Sequence, residues 1–161
     1  MLDFLIEWSV EFIRERGMLG LFLIMIIGSS PIPIPVEVVA LTAISLGAPS
    51  LPTALFATVG ATLGGLISYY VGKGFIDVSR LKTRYEERLQ EARDWLDKYG
   101  TPAIFVFAVT PLPYDAIAIA AGAARMRKRK FVTATFLGRL TRYSILVMAG
   151  QGALKYLSPI Y

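Results

Sequence analysis

From Met18 to Ser30 the chain runs through thirteen apolar or small residues, meets Pro31-Ile32-Pro33-Ile34-Pro35, and continues apolar from Val36 to Ala48. Thirteen helical residues reach about 20 Å, short of the ~30 Å hydrocarbon core of a bilayer. Three prolines in five positions cannot sit inside one helix, because each lacks an N–H and clashes with the preceding turn. The pattern predicts two half-length helices joined by an extended proline turn, a re-entrant hairpin that enters and leaves a membrane by the same side. Broken backbone at that depth has to be covered by protein or to line a cavity. Gly100 to Thr110, then Pro111-Leu112-Pro113, then Tyr114 to Ala124 repeat the pattern and predict a second hairpin. Pro33, Pro35, Pro111 and Pro113 are the predicted hairpin turns.

Two longer apolar runs follow the hairpins. Leu51 to Gly72 is uncharged throughout and predicts a transmembrane helix, with Gly60 and Gly64 on one face for close packing. Phe131 to Leu154 predicts a second long helix, carrying Arg139 and Arg142. The remaining segments are amphipathic. Leu2 to Arg16 sets Asp3, Glu7, Glu11 and Glu15 at intervals of four, with Leu5, Trp8 and Phe12 on another face. Lys73 to Lys98 spaces Val78, Leu81, Tyr85, Leu89, Ala92 and Leu96 by three and four among charged residues. The expected organisation is a single membrane domain: an interfacial helix at 1–16, a first repeat at 17–74, a cytoplasmic amphipathic helix at 75–98, a second repeat at 99–154 and a tail at 155–161.

The halves superimpose at one constant offset, which sets Pro33 on Pro111, Pro35 on Pro113, Glu37 on Asp115, Gly60 on Gly138, Gly72 on Gly150 and Gly74 on Gly152. That agreement points to an internal duplication. Each unit holds one hairpin, which does not cross, and one helix that does, so the two units are expected to be inverted in the bilayer. The basic residues agree with that orientation. The 73–98 segment carries seven Lys or Arg and the 125–130 run carries five. Hairpins place both segments on the cytoplasmic face, whereas full crossings would split them between faces.

Composition narrows the function classes. The 161 residues are 55% hydrophobic and 18% charged, with a mean hydropathy of +0.55, which is membrane-like. There is no Cys and no His, so disulfides, thiolate or imidazole catalysis and the usual zinc and copper sites are excluded, and no cofactor or metal is expected. An enzyme is not expected. The net charge of +5 is explained by topology rather than by nucleic-acid binding. The opening Met1-Leu2-Asp3-Phe4 lacks a basic n-region, so no targeting peptide is set aside.

Four charges stand alone in apolar sequence: Glu37, Asp115, Arg139 and Arg142. A charge at the bilayer centre costs about 2.5–3.5 kcal/mol on insertion scales, so these groups are expected to pair or to face water. Glu37 and Asp115 each follow a Pro-x-Pro near the start of an outgoing half-helix, where unpaired N–H groups and the dipole favour an anion. Arg139 and Arg142 are three apart, on one helix face, and guanidinium suits bidentate contact with phosphate oxygens. Either the two acids neutralise the two arginines as static pairs, or the arginines hold an anionic headgroup while the released acids exchange protons. A carboxylate that loses its guanidinium partner in a desolvated setting holds a proton more readily.

Several motifs, taken in order, resemble the DedA family, whose VTT domain is shared with the eukaryotic SNARE-associated Golgi proteins. They are Gly28-Ser29-Ser30-Pro31-Ile32-Pro33-Ile34-Pro35-Val36-Glu37, Gly60-x3-Gly64 with Tyr69-Tyr70-Val71-Gly72-Lys73, Tyr99-Gly100, Pro111-Leu112-Pro113-Tyr114-Asp115 with Gly122, and Phe136-Leu137-Gly138-Arg139-Leu140-Thr141-Arg142-Tyr143. The resemblance covers roughly residues 17–152, and the short chain is most similar to the YqaA-like branch. It implies an all-α integral membrane protein of the cell membrane, with several passes, two opposed re-entrant hairpins and a lipid-translocating activity. The implied partners are membrane lipids, either anionic phospholipid or polyprenyl phosphate, with a homo-oligomer as a further possibility. Bacterial relatives are linked to recycling polyprenyl phosphate with dependence on the proton-motive force, eukaryotic ones to phospholipid scrambling. The family's membrane acid and its Gly-Arg-x-x-Arg arginines fall on Glu37, Arg139 and Arg142, and Asp115 matches by position. The expected function is therefore movement of a phosphate-bearing lipid between leaflets. A less selective phospholipid scramblase and a structural protein with static buried ion pairs are the alternatives.

Overall fold

A computed structural model describes residues 2–29, 36–45, 47–74, 79–110 and 114–157. Among these the chain forms helices and no strand: α1 (Leu2–Gly28), α2 (Val36–Ser45), α3 (Ser50–Gly72), α4 (Ser79–Tyr99), α5 (Thr101–Val109), α6 (Tyr114–Ala123) and α7 (Lys128–Leu157). The predicted turn residues Pro33, Pro35, Pro111 and Pro113 lie outside the described residues. The arms that flank them are short, as the apolar run lengths require. At 1.5 Å per residue, ten-residue α2 and α6 are each about 15 Å long, half a hydrocarbon core.

The same order of elements occurs twice. In α1 the charged first part gives way to an apolar last part at Gly17, which adopts φ 57° and ψ −134°. Gly100, between α4 and α5, adopts φ 62° and ψ −133°, the same break in a region that only glycine enters cheaply. Beyond the prolines the halves keep the offset read from the sequence: α2 at 36–45 becomes α6 at 114–123, and α3 and α7 start at 50 and 128. Even the caps correspond. Gly47 and Ala48 donate their N–H groups to Ile44 and Ala43, as Arg125 and Met126 do to Gly122 and Ala121, all at 2.9–3.0 Å, the paired bonds of a Schellman end. Before the prolines, however, the offset is larger, because the stretch from Gly17 to the start of α2 at Val36 is longer than that from Gly100 to the start of α6 at Tyr114. The single offset expected from the sequence thus holds for the outgoing arms and long helices only.

Close approaches give the helix directions. A side chain at Gly60 would strike Phe22 and Met25, and one at Gly64 would strike Ile26 and Ser29; numbers rise together, so the last part of α1 runs parallel to α3. By the same test α5 runs parallel to α7, since Gly138 faces Phe105 and Ala108 while Arg142 reaches Thr110. The outgoing arms cross over. α6 follows α3, through Gly65 with Tyr114, Ser68 with Asp115 and Gly72 with Ile119; α2 follows α7, through Glu37 with Arg142 and Leu41 with Gly150. The long helices are antiparallel to each other, because Tyr69 packs on Phe131 while Gly65 and Arg139 share Tyr114.

Two apolar cores result, each mixing both halves. One gathers Ile24, Met25, Val39 and Ala57 with Tyr143 and Val147 of α7; the other gathers Ile104, Phe107, Ile117 and Phe131 with Tyr69 of α3. The amphipathic segments cover their ends: Ile13 of α1 and Leu96 of α4, each one turn before its glycine break, are both buried. The outer surface is apolar as well. Leu19, Leu23 and Ile27, then Leu55, Val59, Leu63 and Ile67, then Leu137, Ile145 and Met148 form exposed rows along α1, α3 and α7. In water such rows are an aggregation liability, whereas in a bilayer they meet acyl chains. By length and composition α3 is the described helix able to cross a membrane. The second predicted span, α7, is longer, but its basic start and its two arginines lower its apolar character.

Candidate functional site

Between the two cores lies a polar seam at the starts of α2 and α6. Glu37 and Asp115 occupy their first turns, and each reaches the long helix of the other half. The Glu37 carboxylate pairs with Arg142, Oε1 to Nη2 at 2.5 Å. Arg142 also donates from Nη1 to the Thr110 carbonyl at 2.9 Å. That carbonyl is free because α5 ends at Val109 and Thr110 is its cap in extended conformation. One guanidinium therefore ties the start of α2 to the end of α5. Asp115 instead accepts a hydrogen bond from the Ser68 hydroxyl at 3.0 Å.

Arg139 is engaged differently. It is 4% exposed, forms no ion pair with a described residue, and holds its guanidinium carbon 4.3 Å from the centroid of the Tyr114 ring. Its Nε has no hydrogen-bond partner. Tyr114 is buried, its hydroxyl bonded to Thr135 one turn before Arg139 on α7, and Gly65 leaves the room its ring needs, since a Cβ there would lie 2.9 Å from Cε1. A cation–π contact of a desolvated arginine contributes about 2 kcal/mol, which does not replace a counter-ion.

All four isolated charges meet in this seam, with Asp115 within electrostatic reach of Arg139, and Glu37, Arg139 and Arg142 within reach of the Tyr143 hydroxyl. Their engagement is unequal: one ion pair, one acid on a hydroxyl, one cation on a ring. Simple pairwise neutralisation is thus realised once. Sequence reasoning misses Tyr114, Ser68, Thr135, Thr110 and Tyr143; hydroxyl residues inside apolar runs are the available signal. Among the described residues no group of three or more Asp or Glu side chains is placed to hold a metal ion.

Glu37→Gln keeps the side chain's size and leaves Arg142 with neutral acceptors only, the introduced amide and the Thr110 carbonyl. A stability loss of about 1.5–3 kcal/mol is expected, the worth of a hydrogen bond to a charged group, read by thermal unfolding in detergent. The double variant Glu37→Gln/Arg142→Gln should recover part of that loss, because both charges are then gone.

The model of the VTT domain matches residues 32–152, a stretch that includes Glu37, Asp115, Arg139 and Arg142. An uncharacterized protein of Methanocaldococcus jannaschii is 28% identical over 144 residues, covering 88% of this chain and 89% of the relative. A protein of Lactococcus lactis named alkaline phosphatase-like protein is 34% identical over 162 residues, covering 89% and 74%. The undecaprenyl phosphate transporter A of Staphylococcus aureus is 26% identical over 154 residues, covering 88% and 76%. No solved structure matches. With three-quarters of its length inside the domain match, the chain belongs to the VTT-domain, or DedA, family.

Proposed function

We propose that the protein carries a lipid with a terminal phosphate, a polyprenyl phosphate being the fitting class, between the leaflets of a membrane. The observation that carries this reading is Arg139: a buried guanidinium with unspent hydrogen-bonding capacity and no carboxylate partner among the described residues, held over the Tyr114 ring where α2 and α6 begin. An arginine left so in a low-dielectric seam is costly unless an anion visits it. Helix starts on either side favour the same charge. That a relative is named an undecaprenyl phosphate transporter supports the lipid class.

In this reading the hairpins enter from opposite faces, and the headgroup crosses where their tips meet. The directions of the arms support it: each hairpin sends one arm down one long helix and returns along the antiparallel one. A phosphate drawn to Arg139 competes with Glu37 for Arg142, and the acids of the seam are the candidates for proton coupling. Transport then responds to a pH gradient. The engaged Glu37–Arg142 and Asp115–Ser68 contacts favour the second reading, a structural protein with static polar contacts.

Purified protein in vesicles containing either labelled polyprenyl phosphate or labelled phospholipid tests these readings. Faster leaflet exchange of the polyprenyl phosphate, altered by a pH gradient, is expected. Equal movement of both lipids indicates a scramblase, and movement of neither indicates the static protein. Release of inorganic phosphate indicates a hydrolase, the activity suggested by the Lactococcus relative's name. The topology has a separate check in this Cys-free chain: Leu51→Cys and Arg127→Cys should label from opposite sides, and labelling from one side contradicts the inverted arrangement.

A further inference from the structure

Arg139 is not the only buried group in the seam with hydrogen bonds unspent. The Ser29 hydroxyl, on a residue 3% exposed, has no partner. The chain there is pressed against α3, where Gly64 has no side chain to hold it off; a Cβ at Gly64 would lie 2.8 Å from that of Ser29. Tyr143 is fully buried, and its hydroxyl donates to the Met25 sulfur at 3.8 Å, a weak acceptor. Ser29 lies close to this hydroxyl, and Arg139, Glu37 and Arg142 are within electrostatic reach of it.

Buried polar groups are normally satisfied, so several neighbouring exceptions call for an occupant. The chemistry of the unspent groups identifies its class. Arg139 Nε can only donate, and the Ser29 and Tyr143 hydroxyls can each donate. Donors gathered beside a guanidinium fit an anion. The nearby carboxylate, Glu37, is neutralised by Arg142 and so does not repel it. We propose that Ser29, Tyr143 and Arg139 form a subsite for the terminal oxygens of a phosphomonoester headgroup, and that this subsite selects monoesters over phosphodiesters. A monoester offers three unesterified oxygens to three donors; a diester offers two. The proposal rests on the lipid-phosphate reading above and names the residues, other than the arginines, that discriminate among headgroups.

The test is binding of geranyl monophosphate and of its methyl diester to the intact chain in detergent, for wild type, Ser29→Ala and Tyr143→Phe. Wild type should bind the monoester at least tenfold more tightly. Each variant should lose about tenfold in affinity for the monoester, as expected when a hydrogen bond to a charged group is removed, with far less effect on the diester. Neither should lower the melting temperature of the ligand-free protein, because each removes a hydroxyl that lacks a good partner. Unchanged monoester affinity in both variants overturns the subsite and leaves the lipid-phosphate reading standing, with ordered water as the occupant. Equal affinity of wild type for the two probes overturns the selectivity. A wild type that binds neither removes the carrier reading and the subsite with it.

Discussion

Alanine at Gly122, or at Gly72, is expected to unfold the protein or to prevent it from folding. The added Cβ at Gly122 would sit on the carbonyl oxygen of Tyr69, and that at Gly72 on the carbonyl oxygen of Ile119. Neither obstacle is the tip of a flexible side chain. Relief requires α3 and α6 to separate, which loosens the packing of Tyr69 and Ile117 in their core and pulls Ser68 from Asp115. Overpacking costs about 1–3 kcal/mol where side chains can shift, and a backbone collision belongs at or beyond the top of that range. Gly150, the counterpart of Gly72 in the second half, provides the control. A Cβ there meets only Leu41 Cδ2, at 3.0 Å, so Gly150→Ala should change stability by less than about 1 kcal/mol, aided by the helix propensity of alanine. Melting temperature in detergent and the yield of monodisperse protein are the readouts. Equal tolerance of all three substitutions would contradict the close α3–α6 crossing.

The second large effect is expected at Arg139, even where the charge is kept. Lysine there retains a cation but not the planar fork that lies on the Tyr114 ring. Its ammonium is compact and strongly hydrated, and it cannot present two parallel donors to a phosphate. Loss of two charge-assisted hydrogen bonds corresponds to about 3–6 kcal/mol, so Arg139→Lys should slow lipid exchange by about 100-fold or more. Folding should survive, since Arg139 satisfies no carboxylate among the described residues and the Tyr114–Thr135 bond does not depend on it. A lysine variant that transports at the wild-type rate would reduce Arg139 to a generic positive charge.

Much of this architecture is visible in the residue pattern because its causes are local. Short apolar runs beside proline clusters can form only short arms, and the glycine breaks at 17 and 100 fall where amphipathic spacing ends. The offset between the halves survives down to the cap hydrogen bonds of α2 and α6. The pairing within the seam is not local, and helical spacing does not decide it. Arg139 and Arg142 lie on one face of α7, yet one meets Glu37 and Thr110 while the other lies on a ring. Which side chain reaches the end of α5 depends on how α5 sits along α7, a tertiary arrangement that spacing within α7 does not encode. Tyr114 reads as an ordinary apolar residue until Gly65 on another helix is known to leave space for it. The two crossings also differ for a nonlocal reason: the position equivalent to Gly122 is Ile44, so α2 cannot approach α7 as closely as α6 approaches α3.

The central claim is that a lipid phosphate passes through the seam at Arg139. It is tested most directly by one rate: transfer of labelled polyprenyl monophosphate between leaflets of vesicles containing the purified wild-type protein, set against protein-free vesicles. Transfer should be at least tenfold faster with the protein and should fall to the protein-free rate when a folded Arg139→Ala variant replaces it. Equal rates with and without wild-type protein, or full transfer by the alanine variant, would contradict the claim.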